Sequence, residues 1–137
     1  MWIVFALLSA FFAALTSILA KIGIGNINSN LATAIRTIVV LLMSWGIVFA
    51  TGKHNDLVSI GHKNLLFLIC SGIATGLSWL CYYKALQMGE ASKVIPIDKF
   101  SLVIGMVMAF IVLKEAVTIK TIMGGILITL GTFVLLL

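Results

Sequence analysis

The sequence predicts an all-α integral membrane protein with five transmembrane helices. Three observations carry that reading. The 137 residues are 62% hydrophobic and 9% charged, with a mean hydropathy of +1.25; soluble domains average about 45–50% apolar and about 25% charged. Five apolar stretches reach or approach the roughly 20 residues needed to cross the hydrocarbon core of a bilayer. None of them alternates apolar and polar residues as the strands of a membrane barrel must.

The first span covers residues 2–20 and is closed by Lys21 and the break at Gly23, Ile24, Gly25 and Asn26. It has no basic region ahead of its apolar run and no clear small-residue cleavage site, so it reads as a retained span rather than a signal peptide. The second span, 31–50, has Ser29 or Asn30 as its N-cap and a polar, turn-rich tail from Thr51 to Asp56. The third covers 65–87. The fourth, 92–113, carries the chain's only proline, Pro96, in its early turns, where the missing N–H costs little but disturbs the preceding turn. The fifth, 121–137, is short and ends in three leucines.

All connections are short, so residues 1–137 form one membrane domain. The longest, 51–64, holds His54, Asp56 and His62. No helix or cysteine fixes these as metal ligands, and a solvated loop is the favoured reading. Cys70 and Cys81 share the third span about 16 Å apart along the helix, beyond the roughly 7 Å a disulfide allows. They read as small core residues. No metal and no cofactor is expected. The spans hold no Ser–His pair and the chain has no glycine-rich phosphate loop, so an enzyme is not expected.

The nine Lys and Arg residues are scattered singly. They form no basic run or face, and no nucleic-acid partner is expected. Five spans put the termini on opposite sides of the membrane. Lys53, Lys63, Lys114 and Lys120 then fall on one side; Lys21, Lys84 and Lys93 fall on the other, with Arg36 and Lys99 deeper. Such a weak bias does not fix orientation. It fits insertion in both directions, and it fits a weakly biased single orientation.

Small and polar residues keep helical spacing within the spans. Ser71, Thr75, Ser78 and Tyr82 share one face of the third, beside Gly72 and Gly76 in a Gly-x-x-x-Gly pair. Asp98, Ser101, Gly105 and Ala109 share a face of the fourth; Ser9, Ala13, Thr16 and Ala20 share one of the first. Thr121, Gly125, Thr129 and Thr132 do so approximately in the fifth, where Gly124 is a further small residue. Such stripes serve helix packing, with Gly72, Gly76, Gly105, Gly124 and Gly125 as close-approach positions. The sharper alternative is a polar passage, which draws its weight from the embedded charges.

Arg36 and Asp98 each lie about 8–10 Å into their spans from the same side. An embedded charge is a functional-site hypothesis by default. Lys21, Lys84 and Lys99 gather in the same half of the bundle, and Asp98 can neutralise only one cation. The remainder suits an anionic or zwitterionic solute. An Arg36–Asp98 ion pair of structural use, and snorkelling by Lys21 and Lys84, are the simpler alternatives. Trp79, Ser78, Tyr82 and Tyr83 are candidates for the walls of a cavity around Arg36, Asp98, Lys84, Lys99 and Lys21. Asp98 is the embedded carboxylate available for proton coupling.

These residues carry a resemblance. Ala20, Lys21, Ile22, Gly23; Ala34, Ile35, Arg36, Thr37; Tyr83, Lys84, Ala85, Leu86; Gly89, Glu90, Ala91, Ser92; and Val94 through Ser101 follow one another in a recognisable order. Leu113, Lys114, Glu115 and Gly124 through Ile128 complete it. The chain resembles an EamA-type domain of the drug/metabolite transporter superfamily, and especially the small bacterial proteins with a single such domain. The resemblance implies one half of a ten-helix inverted-repeat architecture, completed by an oppositely oriented copy or a homologous membrane partner. It implies alternating access to a central cavity, export or exchange of metabolites, and a multi-pass place in the inner (plasma) membrane, surrounded by lipid. Small multidrug transporters of the superfamily use a glutamate in the first span; this chain has none there, so their mechanism does not carry over.

The expected function is therefore secondary transport of a small polar or anionic metabolite by an antiparallel homodimer. The alternative is a non-transporting accessory or structural subunit, or a subunit of a lipid-carrier flippase, paired with another membrane protein.

Overall fold

The computed structural model describes residues 1–135, and every long regular element among them is helical. α1 (Trp2–Ile24) runs past the expected end at residue 20 and stops at Gly25, whose φ of 34° suits a residue without a Cβ. α2 (Ser29–Ala50) is capped by Asn28, not by Ser29 or Asn30: the Asn28 side chain accepts the Asn30 N–H at 2.9 Å. Ser29 lies within the helix, and its carbonyl accepts from Thr33 Oγ1 at 2.9 Å. A glycine with φ 68°, Gly52, follows the C-terminus of α2.

A short 3₁₀ segment, Lys53–Ser59, occupies the connection expected to be loop. α3 (His62–Met88) then begins earlier than expected, so His62 belongs to its first turn rather than to the loop. Its 27 residues reach about 40 Å at 1.5 Å each.

The fourth span is not one helix. α4 (Ala91–Asp98) ends two residues after Pro96, and α5 (Ser101–Val112) resumes after Lys99 and Phe100. Pro96 has no N–H for the Ser92 carbonyl and its ring presses on that carbonyl. The backbone then tightens to three-residue hydrogen bonds: Phe100 N to Ile97 O at 3.0 Å, Leu102 N to Lys99 O at 2.9 Å and Val103 N to Phe100 O at 3.0 Å. Together 91–112 are still long and apolar enough to cross a membrane.

α6 (Ile119–Val134) has 16 residues and reaches only about 24 Å, against a core of about 30 Å. By length and composition four spans qualify among the described residues, and the expected fifth is a shorter apolar helix. Residues 136 and 137 of that expected span lie outside the described residues.

Two compact units are present, Met1–Gln87 and the part from Met88 onward. In the first, polar bonds from α3 hold the α1–α2 hairpin. Tyr82 OH donates to Ser17 Oγ at 2.7 Å, Ser17 Oγ donates to Ala13 O at 2.9 Å, and Gln87 Nε2 donates to Ile27 O at 2.8 Å. In the second, α5 and α6 pack on each other. A Cβ at Gly125 would meet the Met106 methyl at 3.2 Å, and Phe100 and Phe133 rings lie 6.4 Å apart.

The buried residues are few, and beside Ile24, Tyr83 and Leu86 they are small and mostly hydroxylated. Ser17, Ser29, Thr33 and Thr132 are buried, while most Leu, Ile, Val and Phe side chains face outward. Lipid tails are as apolar as leucine, so packing and hydrogen bonding, rather than exclusion of leucine from solvent, select the interior. Thr132, like Ser17 and Thr33, gives its proton to the carbonyl four residues back. The described residues bury no side-chain donor or acceptor without a partner.

Candidate functional site

Arg36 sits eight residues into α2, about 10 Å past its start. Its guanidinium carbon lies 3.9 Å from the centre of the Trp79 ring and 5.6 Å from that of Tyr83. Trp79 and Tyr83 are one turn apart on α3, so both rings meet α2 from the same face. Tyr83 is 3% exposed and Leu86, one further turn along, 0%. The Tyr82 ring packs edge-on against Tyr83 at 6.3 Å while its hydroxyl holds Ser17. Two adjacent tyrosines thus divide the work: one anchors α1, the other covers Arg36.

A cleft of about 380 Å³ opens beside this group. Leu19, Gly23, Ile24, Ile27, Ala32 and Ile35 form its apolar walls, with Ala20, Arg36 and Tyr83 completing it. Arg36 and Tyr83 are marked in the sequence by charge and position; the apolar walls are not, because they look like any lipid-facing residues until α1 and α2 are folded against each other.

The charge balance around the cleft is one-sided. The unit Met1–Gln87 has one acidic residue, Asp56. It lies in the 3₁₀ segment beyond the far end of α2, at 3.8 Å from Lys53. Within this unit Arg36 has aromatic partners and forms no ion pair with a described residue. Lys21, half-buried at the end of α1, donates through Nζ to Leu86 O at 2.6 Å. That bond ties α1 to the C-terminal end of α3, where carbonyls run out of helical partners and positive charge is favourable.

The other expected site residues are each described within their own unit. Lys84 is exposed and sits about 140° around α3 from Trp79, away from Arg36. Ser78 is exposed as well. Asp98 and Lys99 belong to the second unit, at the break after α4, where Lys99 Nζ lies 3.4 Å from Asp98 Oδ2. Arg36, in the first unit, has its aromatic partners there, and Asp98, in the second, has Lys99. On α1 the polar contact is made by Ser17 rather than by Thr16 of the expected stripe.

Among the expected packing glycines, Gly125 is buried against Met106, whereas a Cβ at Gly72, Gly76, Gly105 or Gly124 would meet nothing within 4 Å in its own unit. In the loop, the His54 ring lies 5.6 Å from Phe49.

The description "EamA-like transporter family" matches residues 1–137. The chain belongs to the EamA-like transporter family. A protein of Sinorhizobium sp., described as an uncharacterized transporter in the cobO 3′ region, is 43% identical over 134 residues, 98% of this chain and 95% of that one. An uncharacterized protein of Methanocaldococcus jannaschii is 29% identical over 83 residues, 61% of each chain. No solved structure matches. EamA-like membership, with several membrane-crossing helices, identifies a multi-pass transporter-type membrane protein and points to transport rather than catalysis.

Proposed function

We propose that this EamA-like chain is a secondary transporter of small anionic metabolites, working by alternating access as an antiparallel homodimer in the inner (plasma) membrane. The observation that carries the substrate charge is Arg36: a cation inside a membrane span, held by Trp79 and Tyr83, in a unit whose one acid lies in the distal loop. A structural arginine at that depth would be expected to pair with a carboxylate or a backbone carbonyl.

The dimer draws on the length of a relative and on charge. The Sinorhizobium relative is matched over 95% of its own length, so that relative is a single unit of about this size. An inverted pair would complete a ten-helix, inverted-repeat transporter around sites near the midplane. The weak charge bias allows the two orientations this needs. Asp98, at the helix break, is the carboxylate we assign to proton coupling.

Orientation is the first test. Single cysteines are placed in 51–64 on a Cys70→Ala, Cys81→Ala background. Intact cells are labelled with an impermeant thiol reagent before and after lysis. Labelling of about half the copies from outside supports the antiparallel dimer. All-or-none labelling refutes it and leaves this chain to pair with a different membrane protein, as an accessory subunit would.

A further inference from the structure

The cleft beside Arg36 is a poor match for a polar metabolite. Its walls are aliphatic, and Arg36 and Tyr83 supply its polarity. A sugar or a dicarboxylate would leave most of its hydroxyls, or its second charge, against Leu19, Ile24, Ile27 and Ile35. An unpaired polar group in such surroundings is costly, and an unpaired charge more so.

Arg36, by contrast, is set up for one carboxylate. The Arg36 guanidinium carbon lies over the Trp79 ring, 3.9 Å from its centre, and an aromatic face is an acceptor for none of the paired N–H donors in the way a carboxylate is. No hydrogen bond from the Arg36 side chain to a described residue accompanies this contact. A guanidinium edge presents paired donors that match a carboxylate two-for-two. The hairpin geometry adds a direction. Ile24 and Ile27 flank the α1–α2 turn, while Leu19 and Arg36 lie roughly two turns, about 10 Å, further along the helices. A ligand gripped at Arg36 would lay its body along the apolar walls towards the turn. The volume, about 380 Å³, falls at the small end of ligand clefts, about 300–1,000 Å³.

We infer that the cleft between α1 and α2 binds a monocarboxylate with an apolar aliphatic or aromatic body, through a two-pronged contact from Arg36. This deepens the transporter reading and rests on it for physiological meaning, but binding is measurable without transport.

The test uses the purified full chain with Trp2→Phe and Trp45→Phe, leaving Trp79 as the reporter. Phenylacetate is titrated against Trp79 fluorescence, beside phenylacetamide and succinate. Phenylacetate should bind saturably, and at least about tenfold more tightly than either, because the amide lacks the charge and succinate has a second charge without a partner. Arg36→Gln should weaken phenylacetate by at least about tenfold and erase the preference over the amide. Gly23→Leu should block binding while leaving the fold intact, since a Cβ there meets nothing within 4 Å and its side chain would fill the cleft.

Equal binding of phenylacetamide, preference for succinate, or no saturable binding overturns the assignment. Uptake into proteoliposomes separates the two readings. Succinate uptake without phenylacetate binding would refute this inference and leave the transporter standing. Phenylacetate binding without uptake of any anion would do the reverse.

Discussion

The contact of Arg36 with Trp79 can be measured directly by a double-mutant cycle. Arg36→Met keeps an unbranched apolar stem and removes the charge; Trp79→Leu removes the ring and keeps an apolar side chain. The guanidinium carbon lies 3.9 Å from the Trp79 centre, well inside the roughly 6 Å within which a cation feels the ring face. Tyr83, at 5.6 Å, is at the margin and remains in both backgrounds. Cation–π contacts contribute about 0.5–1 kcal/mol when exposed and about 2 kcal/mol or more when desolvated. Arg36 is half-buried, so the expected coupling is about 1–1.4 kcal/mol, roughly a five- to tenfold change in an equilibrium constant. Trp79→Leu also loses packing unrelated to the charge, and the cycle cancels that loss. Unfolding is followed by far-UV circular dichroism as SDS replaces mild detergent in mixed micelles. A coupling below about 0.3 kcal/mol means additivity. It would show that the ring does not hold Arg36, and with it the argument that the cation is aimed into the cleft would fall.

Other perturbations have equally definite outcomes. Tyr82→Phe should cost about 0.5–1 kcal/mol in the same assay, because Ser17 keeps its bond to Ala13 O and loses only the proton it accepts; no loss would refute the α1–α3 tie. Lys21→Met should make the end of α3 more sensitive to protease, since its bond to Leu86 O is removed; unchanged cleavage would show that the ammonium contributes nothing there. Gly72→Leu should leave the monomer's stability unchanged, because its Cβ position is open within its own unit. If that face packs in the dimer, the same change should abolish crosslinking between copies, and undiminished crosslinking would place the interface elsewhere. Asp98→Asn should abolish pH-driven uptake in reconstituted vesicles, and uptake at the wild-type rate would exclude its role in coupling.

Much of the fold was legible in the sequence because a bilayer imposes a simple rule. Backbone groups in hydrocarbon must be satisfied internally, so an apolar run of sufficient length has to be a helix. Three of the four longer runs are single helices, and the fourth is helical on both sides of a break. Their ends were less legible. α1 runs past Lys21 to Gly25, within the expected Gly23–Asn26 break, and Asn28 rather than its neighbours caps α2, because ends depend on local backbone geometry that hydropathy does not register. Pro96 marked the fourth span as irregular, but the position of the break, at Lys99 and Phe100, follows from how the backbone re-forms its bonds after the proline.

The site divides along the same line. Composition and spacing by themselves determined that this is a helical membrane chain with a cation embedded near one end of its second span and an acid embedded in its fourth. Only the tertiary structure decided what surrounds those charges. Trp79 and Tyr83 are more than 40 residues from Arg36 in the chain, and an aromatic in a membrane span carries no mark of whether it meets lipid or a guanidinium. Lys84 shows the converse: beside Tyr83 in sequence, it faces away because successive residues on a helix lie about 100° apart. Depth in the membrane is a property of sequence position, since each residue advances a helix by a fixed rise. Which charge meets which ring is a property of helix rotation and packing, and in lipid those are set by contacts between helices distant in the chain.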